Sequence, residues 1–205
     1  MPTIIKAASS AGGWEINPAV ADGAIVIQSS AANGTNVVNA LIIAADGQIS
    51  TLRPLGLALQ VVNFQTGAMA TGTTLIPLDD TVPQITEGTQ FMQLAITPTS
   101  SSSRLKIDVV TALSYNADAV ISVALFRDST ANALASNAVW SSGGSIRNIS
   151  VLFSHFMTSG TTSTITFRVR AGGDNPGTLT FNGRSSAPLY GGTLASSMTI
   201  TEYAA

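Results

Sequence analysis

Few residues in this chain could carry chemistry. The sequence holds one histidine, His155 in LFSHFM, and no cysteine. A Ser-His-Asp relay needs the imidazole beside a serine and an acid. Serines abound, but no G-x-S-x-G elbow is present to expose one. A metal site with one histidine and no thiolate requires a carboxylate cluster, and no spaced His/Asp/Glu constellation occurs. His155 is therefore read as a strand histidine hydrogen-bonded to a neighbour.

The acids give one group to test, Asp79, Asp80 and Glu87 in DDTVPQITEG (79–88). A glycosidase needs two carboxyls about 5–9.5 Å apart across a groove. Adjacent side chains on an extended segment point to opposite faces, so Asp79 and Asp80 would not pair. Pro77, Pro83 and Gly88 mark a loop in which the acids are solvated. Phosphate loops, dinucleotide fingerprints and EF-hand spacing are missing. Asp46-Gly47 and Asp174-Asn175 suit tight turns without any ion. Arg168 and Arg170 alternate with Phe167 and Val169 and read as a solvated strand face rather than a ligand site. The expectation is a non-enzymatic chain with no catalytic residue, no metal and no cofactor.

The elements that position these residues read as strands. Apolar residues seldom recur at helical spacing, while Thr, Val, Ile and Phe dominate the candidate segments. Strands are expected near 58–65, 73–78, 90–97, 104–113, 119–127, 146–157, 164–171, 178–182 and 196–203. Alternation is clean at 104–110, where Leu105, Ile107 and Val109 face one way and Arg104, Lys106 and Asp108 the other. Residues 119–127 are apolar on both sides, which suits cover by a second sheet or another subunit. The stretch 164–183 alternates on either side of a Gly/Asp/Asn/Pro break and reads as an antiparallel pair. Strands at this spacing predict an all-β sandwich or jelly roll over 57–205. Residues 1–56 read as a β-rich anchoring or stem segment, with turns at Asp22-Gly23, Asn33-Gly34 and Asp46-Gly47.

Composition narrows the class. Of 205 residues only 10% are charged and the net charge is −2, against about 25% charged in ordinary globular domains. No basic run favours nucleic acid or an anionic membrane surface. So sparse a charge suggests large contacts with other subunits. The start lacks the continuous apolar core of a signal peptide, and runs such as ALIIAA at 40–45 are far short of the ~20 residues that span a bilayer. No membrane insertion is expected, and synthesis is expected in a cytoplasm.

Four blocks carry a family resemblance. The first covers 61–98, as VVNFQTGAMATGTTLIP (61–77) followed directly by LDDTVPQITEGTQFMQLAITP (78–98). With ISVALFRDSTANALA (121–135), FMTSGTTSTITFRVRAGG (156–173) and SSMTITEY (196–203), it resembles, in order and spacing, the C-terminal heads of bacteriophage fibre proteins. The resemblance implies a jelly roll like the tumour-necrosis-factor and complement heads, assembled as a homotrimer on the virion. It places the last strand at the threefold axis, with Met198, Ile200 and Tyr203 near it. Residues 27–50 are similar to segments that precede such heads, so 1–56 would hold other virion proteins. A short fibre or a capsid head fibre or decoration protein suits the length at least as well as a long tail fibre.

Three function classes follow. The leading one is a virion structural protein whose head loops touch a host-surface glycan or protein, through Trp140 in NAVWSSGG, Arg184 in NGRSSAP or Tyr190 in LYGG. Aromatic and Arg side chains in Ser/Gly loops suit such recognition. A depolymerase tip would have to use Asp79, Asp80 and Glu87. A bacterial adhesin would normally carry a secretion signal.

Overall fold

The computed structural model describes residues 14–17, 25–30, 37–43, 49–50, 58–142 and 147–205. The chain divides into two compact units, Met1–Leu57 and Ala58–Ala205. In the first, strands β1 (Trp14–Asn17), β2 (Ile25–Ser30), β3 (Val37–Ile43) and β4 (Ile49–Ser50) form an antiparallel meander in which each pairs with the next. The turns expected at Asp22-Gly23, Asn33-Gly34 and Asp46-Gly47 lie outside the described residues.

The second unit is an antiparallel β-sandwich. Its long strands are β5 (Ala58–Thr66), β7 (Thr89–Ile96), β8 (Arg104–Tyr115), β9 (Ala119–Arg127), β10 (Ala135–Ser141), β11 (Ile149–Thr158), β12 (Ile165–Gly173) and β16 (Ser196–Tyr203). Short pieces fill the connections: β6 (Ala70–Gly72), β13 (Leu179–Phe181), β14 (Gly183–Arg184) and β15 (Ala187–Pro188). One sheet runs β5-β16-β8-β11, with β13 and β6 extending it beside β8; the other runs β7-β12-β9-β10. Counting only the long strands, these orders are 1-8-3-6 and 2-7-4-5, two interlocked Greek keys and hence a jelly roll.

The alternation at 104–110 explains the core. Leu105, Ile107 and Val109 of β8 and Met198 and Ile200 of β16 face inward from one sheet. Met92, Ile121, Val123, Leu125, Phe167 and Val169 meet them from the other. Each buried side chain of this size is worth roughly 1.5–3 kcal/mol relative to exposure. Met198 and Ile200 are 0% exposed inside a single chain. They cannot line an axis between subunits, contrary to expectation, because the core takes that face of β16. Ser197, Thr199, Thr201 and Tyr203 are the residues left facing out. A β-bulge opposite Val169/Arg170 leaves Phe91 unpaired, and its ring stacks on Phe181 of the other sheet at 4.9 Å.

Three local expectations fail. Residues 73–78 form no strand; together with 79–88 they make a flap over the outer face of the second sheet. Ile76 packs there with Ala124 and Phe126, and the flap backbone approaches so closely that a Cβ on Gly172 would lie 2.4 Å from the Thr74 carbonyl oxygen. This flap and the opposite sheet are what cover the two apolar faces of β9. The 164–183 stretch is not a hairpin either: β12 pairs with β7 and β9, whereas β13 pairs with β6 and β8. The polar break therefore carries the chain from one sheet to the other. Finally, Ala135–Ser141 is a strand, so Trp140 sits on β10 and not in a loop.

The antiparallel registers fix two poles. Tyr203 pairs with Ala58, where the chain enters this unit, and Arg104 pairs with Tyr203. At the far pole lie Thr66, Tyr115, Gly173, Ser196, the β8–β9 and β12–β16 connections and the two ends of the β5–β7 connection, whose middle reaches the β9–β10 connection at the other end.

Near the entry pole, Glu202 is fully buried and held on all sides. Its carboxylate accepts bonds from Gln60 Nε2 (2.5 Å), Thr99 N (2.8 Å) and Thr99 Oγ1 (2.7 Å). Burial pushes its pKa up, but these donors, with the Ser103 hydroxyl close by though short of a formed bond, outweigh burial and hold it below the ordinary value of 4.5. A lowered folded-state pKa gives stability that is complete above 4.5 and lost as pH falls through the folded value. Glu202→Gln is expected to cost about 1.5–3 kcal/mol at neutral pH, the range for bonds to a charged group. Thermal unfolding should show that cost vanish in acid, where the wild type has lost its carboxylate as well.

Candidate functional site

The far pole holds the three residues singled out for recognition. Trp140 is the penultimate residue of β10, pairs with Val120, and is 63% exposed. Arg184 ends β14 and is exposed; Tyr190 opens a 3-10 turn and is 74% exposed. The Arg184 backbone pairs with Ala187, and its side chain makes no hydrogen bond or ion pair among the described residues. Trp140 does not pack beneath a loop, and Tyr190 does not cap the core.

Asn182 sets the shape of this pole. It is 0% exposed with φ +53. Its Nδ2 donates to Thr66 O (2.7 Å) and Ala68 O (3.2 Å), its N–H to Ala112 O (2.9 Å), and its Oδ1 accepts from Ser196 Oγ (2.6 Å). Ser196 Oγ in turn accepts Ala112 N–H at 2.9 Å. One buried amide thus ties three strands to the root of the 183–195 loop. Within that loop Ser185 (φ +52), Ser186 (φ +59) and Tyr190 (φ +50) are left-handed, as are Gly191 and Gly192. For an L-residue with a Cβ this region costs roughly 1–2 kcal/mol. For a ring-bearing side chain it is an outlier. The turns explain it: Ser185 and Ser186 are the two central residues of the β14–β15 hairpin, which needs positive φ at both, and Tyr190 and Gly191 hold the same places in the turn closed by Gly192 N–H on Leu189 O (3.0 Å).

The neighbouring connections are stitched by turn residues. Asp174 Oδ1 accepts Val120 N–H (2.9 Å), Asn116 Oδ1 accepts Thr178 N–H (2.7 Å), and Tyr115 Oη donates to Asn175 O (2.6 Å). Burial first, and then the Asp174 charge, push the Tyr115 phenol above its ordinary value. Asp174 and Asn175 therefore serve the turn, as expected.

The other candidates lie away from this pole. Asp79, Asp80, Thr81, Val82 and Pro83 of the flap face residues 133–136 across a shallow cleft of ≈ 390 Å³. Asp79 is spent on Thr81, accepting its N–H (2.8 Å) and hydroxyl (2.6 Å), and the hydroxyl bond is the main reason its pKa is lowered. Glu87 Oε2 accepts Gln84 N–H at 2.9 Å, closing a turn. Arg170 is half-buried rather than on a freely solvated face: it donates to Glu87 O and Gly88 O, both at 2.7 Å, and clamps the flap. Arg168 likewise donates to Asp128 O. His155 is half-buried on β11 and its pKa is lowered by burial; the expected hydrogen bond is not made. Among the described residues no three His, Asp or Glu side chains gather to hold a metal. No helix among them is long and apolar enough to cross a membrane.

No family model matches the chain, and no curated protein does. Similar solved structures are β-rich and include a viral capsid protein and a phage tailspike. Dimeric latent PorU from Porphyromonas gingivalis is 9% identical over 72% of this chain and 13% of its own, at a TM-score of 0.34. The infectious bursal disease virus Gt strain structure is 11% identical over 89% of this chain and 47% of its own, at 0.35. The enzymatically active domain of bacteriophage CBA120 tailspike protein 4 is 12% identical over 62% of this chain and 19% of its own, at 0.26. Overlaps at this level assign no function.

Asn182→Ala should leave Thr66 O, Ala68 O and Ser196 Oγ without their partner. The expected loss is about 1–3 kcal/mol per buried group left unsatisfied. Hydrogen exchange should accelerate at residues 183–195 and 112, leaving β9 and β12 protected.

Proposed function

We propose that the chain is a non-enzymatic structural protein of a phage particle, in which Ala58–Ala205 forms the head of a homotrimeric fibre and the far pole meets the host surface. Residues 1–57 join it to other virion proteins. One observation carries the reading: the outer face of the β5-β16-β8-β11 sheet leaves four apolar side chains open among polar and mostly uncharged neighbours. Gln65, Ser197, Val110 and Leu152 lie side by side across it; the next row is Asn63, Thr199, Asp108 and Ser154, and the next Val61, Thr201, Lys106 and Phe156. Val61 is 58% exposed, Val110 42%, Leu152 61% and Phe156 52%. Lys106 and Asp108 neutralise each other at 3.0 Å. Apolar side chains left open in this number on one sheet face suit a contact with protein.

The strand edges support the same reading. Edge strands are normally protected by charges or proline, yet β5, β7, β10 and β11 contain no Asp, Glu, Lys or Arg. Side-chain amides close part of each edge, Gln60 to Thr97 O (2.7 Å) and Asn137 to Leu152 O (3.0 Å). Neighbouring copies would cover the rest. The jelly-roll strand order agrees with what the four sequence blocks imply, and two of the three acids that a depolymerase would need, Asp79 and Glu87, are engaged in turns.

Sedimentation of the full chain should give three times the 20.9 kDa of one copy. Val110→Arg with Leu152→Asp should release folded monomers with an unchanged strand spectrum. A lone 20.9 kDa wild-type particle at micromolar concentration contradicts the proposal. Imaging of labelled particles separates the two virion sites: signal at the tail supports a fibre, and signal on the capsid lattice replaces it with a decoration protein.

A further inference from the structure

We propose that Asn182-Gly183 is a latent deamidation site, locked while the hub is closed and open to water once the 183–195 loop comes away, so that opening of the far pole becomes irreversible. The chemistry is set by the dipeptide. In a mobile chain the backbone nitrogen that follows an asparagine attacks the side-chain Cγ, and glycine, with no Cβ to shield that nitrogen, permits this most readily. A C–N bond forms to give a five-membered succinimide, the Cγ–Nδ2 bond breaks, and Nδ2 leaves as ammonia with the proton of the glycine N–H. Water then opens the ring at either carbonyl and leaves aspartate or isoaspartate in place of the asparagine. The sequence holds two such pairs, Asn33-Gly34 and Asn182-Gly183. The first lies outside the described residues.

The structure requires both members of the second pair. Asn182 is left-handed at φ +53, a region that asparagine enters more readily than most residues with a Cβ. Its amide donates to Thr66 O and Ala68 O and accepts from Ser196 Oγ, a set that a carboxylate cannot provide. Gly183 begins β14, and a Cβ there would lie 2.2 Å from Ala187 O across the hairpin. The amide that fills the hub is thus followed by the one residue type that the hairpin admits. Two packing demands, neither of them chemical, together write a labile pair.

The closed hub blocks the reaction in three ways. Nδ2 and Oδ1 are both held, so the amide cannot turn its Cγ onto the Gly183 nitrogen without breaking bonds at 2.7, 3.2 and 2.6 Å. The backbone is pinned on either side, by Asn182 N–H on Ala112 O (2.9 Å) and by Ser114 Oγ on Gly183 O (3.1 Å). Asn182 is 0% exposed, which keeps out the water that ring opening needs. Once converted, the hub cannot re-form. A carboxylate at position 182 only accepts bonds, and it would face the carbonyl oxygens of Thr66 and Ala68 with nothing to donate. A buried charge without a partner costs more than a lost neutral bond. Isoaspartate also routes the main chain through the former side chain, which removes the group that filled the hub.

Peptide mapping by mass spectrometry of the full chain, aged in mildly alkaline buffer with and without urea, follows both pairs. In urea Asn33 and Asn182 should lose their amides at similar rates. In native buffer Asn182 should convert at least about a hundredfold more slowly than in urea, because reaction waits on rare opening of an anchored segment. Ser196→Ala removes one of the three amide bonds and should raise native conversion at least about tenfold. Equal rates in native buffer and urea overturn the lock. An Asn182 that survives urea while Asn33 converts overturns the lability. Asn182→Asp tests irreversibility without ageing. It should melt below the wild type at neutral pH, and the gap should narrow in acid, where a protonated carboxyl can donate to Thr66 O. Glu202 is present in both chains, so the difference between them isolates position 182. An Asn182→Asp chain that melts with the wild type at neutral pH, or below it by an amount that ignores pH, overturns the proposal.

Discussion

Every strand of period two has two faces, and a two-layer fold can bury only one of them. The apolar inner faces of β8, β9, β12 and β16 seal against each other within one chain, which leaves the outer faces to be dealt with separately. The two sheets solve this differently. Over β9 and β12 the chain folds its own flap, clamped by Arg170 on two backbone carbonyls and packed through Ile76 onto Phe126. Over β16 and β8 no described segment is laid down, and Val61, Val110, Leu152 and Phe156 stay open. The asymmetry between a sheet that is self-covered and one that is not is the feature on which the proposed assembly rests.

Polar groups placed inside the sandwich hold its two ends. Glu202 at the entry pole and Asn182 at the far pole are each fully buried and each bonded to backbone groups of other segments. Buried polar groups are tolerable only when satisfied, so each hub fixes the loops that satisfy it. Glu202 closes the last strand onto β5 and the 97–103 connection. Asn182 closes the 67–69 turn and the root of the longer loop that carries Arg184 and Tyr190. The far pole is therefore tied to the core at its root and closed by tight turns where it meets solvent.

Much of this fold is legible in the sequence because alternation is a local signal. The 119–127 and 196–203 segments become β9 and β16 at those limits, and Leu105, Ile107 and Val109 face inward as read. What alternation does not supply is the identity of the partner. Met198 and Ile200 form a genuine apolar face, yet nothing local distinguishes the core of one chain from the axis of three. The 164–183 stretch reads as a hairpin because both halves alternate, although the break between them changes sheets. β10 is missed because Ala, Ser and Asn are poor strand formers and its place is set by pairing with β9. TTLIPL looks like a strand and is a flap because it finds no pairing partner, only Phe126 to cover. The exposure of Tyr190 is foreseen from its Ser/Gly-rich surroundings, whereas its backbone strain has no local signature.

The proposed head joins a closed interior to one sheet face that other copies would cover and one pole that would meet the host surface. Hydroxyl-radical footprinting of the intact chain at micromolar concentration examines all three at once. Leu152, Phe156 and Val110 should oxidise slowly, like core Phe167, while Trp140 and Tyr190 oxidise fast. If Leu152 and Phe156 label as quickly as Tyr190, the uncovered sheet is open in solution and the trimeric head is wrong.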